Sequence, residues 1–230
     1  MTSRFMGLML FLISTAFANA ASFSDYDAFY QSLPDQTYFR QLEGEFEPVF
    51  WEGKANGNWR IGKTCHKISY WGKNGGLVHT YPNMKQTPRF YYWSKATHLD
   101  TDISSEPNLL DAQGYVAGRK DFCIRAGFSG LGQSGTFQRV KGVFAVIHSH
   151  PYFLVGLEAS CKAFRQQPDG GIYFIKLRYS KTEEETLVQE KISIGQKSLQ
   201  VQGLMPERLK LDGNFYRFHT EGNLQNSPVN

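Results

Sequence analysis

From residue 46 onwards the sequence is divided into short apolar segments by turn-forming residues, and this pattern restricts the folds open to the chain. The segment "YFLVGLEASCKAF" places alternate apolar residues on one face, "QQPDGG" follows as a turn, and "IYFIKLRYS" returns as a second strand. "TLVQEKISI" and "SLQVQGL" form a second such pair, and "RLKLDGNFYRF" forms a third that turns at Asp212-Gly213. Closely spaced short strands of this kind predict an antiparallel sandwich or barrel.

The rest of the chain adds one helix and one loop to this picture. Residues 24–33 predict a short helix with Ser24 as its N-cap and Pro34 beyond its end. The polar stretch 94–113 predicts a long loop, with a helical turn at "EPNLLDA". We therefore expect a mainly β protein, at the margin of α+β, in which residues 21–230 form a single antiparallel β-sandwich or barrel-like domain with a short N-terminal helix.

The first 20 residues have the order of charges and side-chain sizes that is typical of a secretory signal peptide. Arg4 precedes the apolar run from Phe5 to Phe17, and Ala18-Asn19-Ala20 ends the segment. The apolar run has roughly 13 residues, fewer than the ~20 that a membrane-spanning helix needs. We expect cleavage of residues 1–20, a secreted or periplasmic mature protein that begins at Ala21, and no membrane span after cleavage.

Charge and composition bear on the partners of the chain. The formal net charge is +4, and the 25 Lys and Arg residues are scattered without a basic block. A nucleic-acid partner is therefore not expected. The 18 Phe and 12 Tyr residues serve either a core or a contact surface for a protein or small ligand.

The chain has three cysteines, Cys65, Cys123 and Cys161, and an odd number leaves one outside any internal disulfide. An oxidising compartment favours disulfides, and the sequence alone allows three pairings. We predict the pair Cys123–Cys161, because both lie in strand-like apolar segments of the second half. No C-x-x-C occurs, so zinc-ribbon spacing is absent from the sequence.

The segment "VFAVIHSHPYF" carries two histidines after an apolar run. Its His-Ser-His-Pro resembles the signature of JAMM metalloproteases, in which two histidines and an aspartate bind zinc. The resemblance implies His148 and His150 as ligands, while the family's serine and aspartate positions hold Glu158 and Cys161 here. We favour the alternative that Pro151 ends a strand and the imidazoles lie near the surface, with no catalytic metal and no cofactor.

A second pair of residues has the chemistry of a thiol enzyme. Cys65 begins one predicted strand, and His79 lies on the strand that returns after "GKNGG". A nearby imidazole lowers the pKa of a thiol, and the thiolate is the nucleophile. The arrangement resembles secreted glutamine deamidases of the cytotoxic-necrotising-factor type and chemoreceptor deamidases. That resemblance implies Cys65 as nucleophile and His79 as base, although the family's Ser-Gly-Cys or Gly-Ser-Cys is Lys63-Thr64-Cys65 here.

A third pattern needs no catalysis. Gly57-Asn58-Trp59 resembles the Gly-x-Trp of the first strand in lipocalin-like barrels, where tryptophan closes one end. We expect a non-catalytic binding or interaction module for a protein or small ligand outside the cytoplasm, in envelope assembly or in contact with a host or rival cell. The alternatives are a secreted Cys–His hydrolase or deamidase at Cys65 and His79, and a degenerate JAMM-like zinc hydrolase at His148 and His150.

Overall fold

The computed structural model describes residues 21–42, 46–51, 56–61, 64–70, 76–81, 89–93, 107–118, 120–128, 139–183, 185–195, 199–211 and 217–221. The predicted signal peptide, residues 1–20, lies outside these ranges. Within them the chain is mainly antiparallel β-strand with one α-helix near its start, so the predicted β-rich fold with a short N-terminal helix is confirmed. No helix in the described ranges is long and apolar enough to cross a membrane.

Helix α1 spans Tyr26–Ser32 and ends ahead of Pro34, as predicted. Its N-cap is Asp25, whose carboxylate accepts the backbone N–H of Ala28 at 2.7 Å, so the predicted cap Ser24 is wrong by one residue. A carboxylate at this position also interacts favourably with the positive end of the helix dipole. The face that α1 turns to the core consists of aromatic side chains: Tyr26, Phe29 and Tyr30.

The strands form three antiparallel sheets. The first sheet has the order β1 (Ser22–Phe23), β17 (Phe218–Glu221), β16 (Leu199–Leu211), β15 (Thr186–Ile194), β14 (Ile172–Tyr179), β13 (Phe164–Gln166) and β2 (Gln36–Thr37). The second sheet has the order β12 (His150–Leu157), β11 (Val140–Ile147), β10 (Asp121–Phe128), β9 (Pro107–Ala117) and β3 (Arg40–Gln41). The third sheet has the order β4 (Phe46–Trp51), β5 (Asn56–Ile61), β6 (Thr64–Tyr70), β7 (Gly76–Tyr81) and β8 (Arg89–Trp93).

The strands β10 to β12 of the second sheet are buried on both faces, which explains why they are apolar almost throughout. Cys123, Ala145 and Leu154 belong to one face and join the main core, together with α1 and the first sheet. On the other face Phe144 and Phe153 are paired across β11 and β12, and their rings stack with centroids 4.5 Å apart. Strands of the third sheet lie beside the second, since β8 contacts β12 and β5 contacts β9.

The predicted strand "YFLVGLEASCKAF" is wrong, because the structure interrupts it. Strand β12 ends at Leu157, a 3₁₀ turn spans Cys161–Ala163, and β13 begins at Phe164. The break comes where Glu158 adopts a left-handed φ of 45°, which a continuous strand cannot contain. The hairpin across "QQPDGG" is nevertheless present, with β13 and β14 as its two short arms.

The predicted loop at 94–113 is wrong over its second part, because residues 107–117 form strand β9. The helical turn expected at "EPNLLDA" is likewise replaced by strand from Pro107. The β9–β10 ladder pairs Arg125 with Gln113 and then Gly127 with Asn108, so four residues of β9 bulge opposite one of β10. Such a bulge removes the period of two on which strand prediction depends. Residues 94–106 lie outside the described residues.

Candidate functional site

The two histidines of "VIHSHP" lie at a tight hairpin turn, His148 within it and His150 at the start of β12. Strands β11 and β12 are joined by His148 and Ser149 alone, since Ile147 pairs with His150. Both turn residues are exposed and have left-handed backbones, with φ of 51° and 68°. The expectation that Pro151 ends a strand is wrong, because Pro151 is the second residue of β12. Two-residue turns with positive φ normally carry Asn-Gly, so His-Ser gives no sequence signal for one.

Asp121, at the start of β10, holds this turn in place. Both of its carboxylate oxygens accept the backbone N–H of His148 at 3.1 Å, and its Oδ2 accepts the hydroxyl of Tyr38 at 2.5 Å. The Asp121 side chain is buried, with the residue 8% exposed. Burial, and then the hydrogen bond to Asp121, raise the pKa of Tyr38, so its hydroxyl stays protonated as a donor. The Tyr38 ring also meets the His148 ring edge to face, with centroids 6.5 Å apart.

We call this region the hairpin end and define it as residues 38–40, 118, 120–121 and 147–150. The β9–β10 turn lies beside the β11–β12 turn, because Asp121 pairs with Ala117 and the next residue, Phe122, pairs with Val146. Strand β3 reaches the same end, since Arg40 pairs with Val116. The exposed residues of the hairpin end are Arg40, Gly118, Lys120, His148 and Ser149.

The predicted disulfide pair, Cys123 and Cys161, is brought together by the fold, and its sulfurs are 2.02 Å apart. Cys123 is on β10 and Cys161 opens the 3₁₀ turn, and both are fully buried. The context expected for Cys161, inside a strand, is corrected to a turn. A cysteine in a disulfide is not a thiolate ligand, so Cys161 does not complete a zinc site with His148 and His150.

A metal ion needs several protein ligands that converge on one point. His150 Nδ1 lies 3.0 Å from the backbone oxygen of His148, so one ring nitrogen faces the protein chain. Within the described ranges, no three His, Cys, Asp or Glu side chains converge as metal ligands would. The turn presents the His148 imidazole and the Ser149 hydroxyl to solvent, and both groups suit hydrogen bonding to a partner.

A partly buried ion pair lies next to the disulfide. Arg125, two residues after Cys123, donates to the Glu158 carboxylate at 3.0 Å and to the Ala159 carbonyl at 3.1 Å. Burial raises the pKa of Glu158, against the lowering influence of Lys141 and Arg125. The turn after β12 is thus fastened to β10 twice, by a covalent bond and by an ion pair.

Cys65 and His79 lie on neighbouring strands of the third sheet. Cys65 pairs with Tyr81, and His79 pairs with Lys67. Cys65 and His79 are therefore two register positions apart on adjacent strands. Because Cys123 and Cys161 are bonded to each other, Cys65 is the cysteine left outside the disulfide.

The sequence did not indicate Asp121 or Tyr38 as parts of a site. Asp121 precedes His148 by 27 residues, and Tyr38 precedes Asp121 by 83. Only the pairing of β10 with β11, and of β3 with β9, brings them together. An aspartate directly after a hairpin turn, level with a second turn, is the one local signal that could have pointed to this contact.

Comparison with protein families, with curated proteins and with solved structures finds no match for this chain. The candidate site is therefore described by its own geometry. Its most distinctive feature is an exposed turn of two non-glycine residues in left-handed backbone, held from below by a buried carboxylate.

We predict that Ser149→Gly stabilises the protein by about 0.5–1 kcal/mol, because glycine adopts a left-handed backbone without the cost that serine bears. Urea unfolding followed by tryptophan fluorescence measures the change. The matched control is Ser193→Gly on strand β15, where the same substitution should destabilise by a similar amount. Equal destabilisation by both variants would contradict the left-handed turn.

Proposed function

We propose that the mature chain, residues 21–230, is a single-domain, non-catalytic binding module that acts outside the cytoplasm, secreted or periplasmic. The signal-peptide pattern of residues 1–20 supports the compartment. The Cys123–Cys161 disulfide is compatible with it, since such bonds persist in oxidising surroundings. We place the contact with the partner at the hairpin end.

The observation that supports this proposal is the backbone conformation of the His148–Ser149 turn. Left-handed backbone at a non-glycine residue costs roughly 1–2 kcal/mol, and the hairpin end has two such residues in succession. Backbone strain persists where surrounding contacts enforce it, and here Asp121 and Tyr38 do so. The result is a fixed presentation of His148 and Ser149 to solvent. Residues displayed on a rigid framework are a general means of recognition, because little conformational entropy is lost on binding.

Site-specific photo-crosslinking tests the proposal. A photoreactive phenylalanine derivative at position 149, in protein exported by its own cells, should give a discrete adduct with one partner. The same residue at position 181, exposed in the β14–β15 turn, is the control and should give none. Adducts of equal yield at both positions, or none at 149, would contradict binding through the hairpin end.

Loosening the turn provides a second arm of that experiment. Asp121→Asn keeps the size of the side chain but removes the charge that both the His148 N–H and the Tyr38 hydroxyl donate to. Charge-assisted hydrogen bonds are about twice as strong as neutral ones. We expect the adduct at position 149 to fall severalfold in this variant while the protein stays folded.

A thiol enzyme at Cys65 and His79 is the second candidate, and the β6–β7 register favours it. The imidazole would take the thiol proton, and the thiolate would attack an amide carbonyl, release ammonia or an amine, and leave a thioester for water to hydrolyse. The closeness of Cys65 and His79 in the β6–β7 register and the absence of Cys65 from the disulfide both support this candidate.

Alkylation of Cys65 distinguishes this candidate from a structural cysteine. In native protein at pH 7, iodoacetamide should modify Cys65 about tenfold faster than a model thiol, and His79→Ala should abolish the acceleration. The control is His66→Ala, since His66 directly follows Cys65 on β6 and pairs with Thr80 of β7. An alkylation rate that His79→Ala leaves unchanged would remove the candidate.

A further inference from the structure

The exposed charges of the hairpin end have one sign. Arg40 and Lys120 are both exposed, and no described residue forms an ion pair or hydrogen bond with the side chain of either. Asp121 is the one carboxylate among the residues that define the hairpin end, and it is buried and already accepts from Tyr38 and His148. Among the described residues of the hairpin end, a partner therefore meets two cations and the His148 imidazole but no exposed carboxylate.

These groups are spread across the sheet rather than gathered round one point. Arg40 is on β3, Lys120 follows β9, and His148 follows β11, in a sheet of order β12-β11-β10-β9-β3. His148 lies in the turn between β11 and β12, about three and a half strand spacings from β3. At about 4.8 Å per spacing, the distance from Arg40 to His148 across the strands is roughly 17 Å. A single small anion cannot contact groups so far apart, whereas a surface with several negative charges can.

We infer that the partner of the hairpin end is a protein with acidic side chains at the contact, an inference that rests on the proposed binding function. The fixed backbone of the His148–Ser149 turn favours a protein partner over an anionic membrane. A fluid bilayer presents headgroups at no fixed positions, so it gains nothing from a turn whose backbone is held in strained geometry. A protein presents aspartate and glutamate at fixed positions, so its binding affinity does increase when the turn is held rigid.

Binding of a labelled decaglutamate peptide to the mature protein, measured by fluorescence anisotropy, tests the charge requirement. We expect the double variant Arg40→Gln, Lys120→Gln to weaken binding at least fivefold, and decaglutamine not to bind. The matched control, Lys181→Gln with Arg217→Gln, removes two exposed positive charges elsewhere and should change binding less than twofold. Equal weakening by both pairs would overturn the inference, because net charge alone would then explain the binding.

Two further arms separate the other outcomes. Vesicles of phosphatidylcholine with 30 mol% phosphatidylglycerol should bind the two double variants alike. Vesicle binding that depends on Arg40 and Lys120, without peptide binding, would overturn the inference in favour of a membrane. A photo-adduct at position 149 that forms equally well in Arg40→Gln, Lys120→Gln would overturn the acidic partner and leave the binding module standing. No adduct in the wild type would overturn the binding module itself.

Discussion

Arg165→Met is expected to lower the free energy of unfolding by about 3–5 kcal/mol, since it removes a buried cation whose two terminal nitrogens each have two acceptors, although its Nε has no partner among the described residues. The residue is 3% exposed. One terminal nitrogen donates to the Tyr30 carbonyl at 3.1 Å and to the Thr37 hydroxyl, and the other donates to the Leu33 carbonyl at 2.8 Å and to the Asp35 carbonyl. These acceptors lie where the chain leaves α1 and enters β2. Methionine fills similar space but leaves the acceptors buried without donors.

Two variants show that the effect belongs to the guanidinium. Arg165→Lys should recover less than half of the loss, because one ammonium cannot reach acceptors on both sides of a planar fork. Arg178→Met is the matched control: Arg178 forms an ion pair with Glu190 at 2.6 Å, but its side chain is 32% exposed. We expect a loss of about 1 kcal/mol or less there. If Arg165→Met and Arg178→Met had the same urea midpoint, the role given to Arg165 would be refuted.

The parts of the fold that the sequence predicted are those formed between neighbouring segments. The β6–β7, β13–β14 and β15–β16 hairpins each join strands that a short turn separates, so local pattern and turn residues suffice. The strands that the sequence did not predict pair with segments that are far away along the chain. β1 pairs with β17 at the other end of the chain, and β2 pairs with β13. Strands of two residues have no measurable period, and only tertiary contacts define them.

The same distinction holds for the candidate site. His148 and His150 drew attention because their residue type is visible in the sequence, but the sequence placed both on one strand, whereas His148 lies in a turn and His150 begins β12. The left-handed backbone of the turn depends on Asp121 and Tyr38, which approach through sheet pairing. Arg165 was missed for a related reason: its acceptors are carbonyl groups, which every residue has, so no pattern of side chains indicates them.

The double replacement Cys123→Ala, Cys161→Ala is expected to destabilise the protein by about 3–4 kcal/mol. The bond closes a loop with a sequence separation of 38, and opening that loop increases the entropy of the unfolded chain. Alanine at both positions avoids a lone reactive thiol. Urea unfolding of the double variant against wild type, with tryptophan fluorescence as the probe, measures the loss. Cys65→Ala, outside the disulfide, is the control and should shift the midpoint little.

The adjacent ion pair makes this prediction more specific. Arg125 and the disulfide fasten the same turn to β10, so removing one leaves the other to hold it. Groups that share one structural element have non-additive effects. We therefore expect Arg125→Met to cost at least 1 kcal/mol more in the Cys123→Ala, Cys161→Ala background than in the wild type. Additive losses in this cycle would mean that the ion pair and the disulfide act on separate parts of the chain. Peptide mapping that finds Cys65 bonded to Cys123 or Cys161 would refute the disulfide pairing itself.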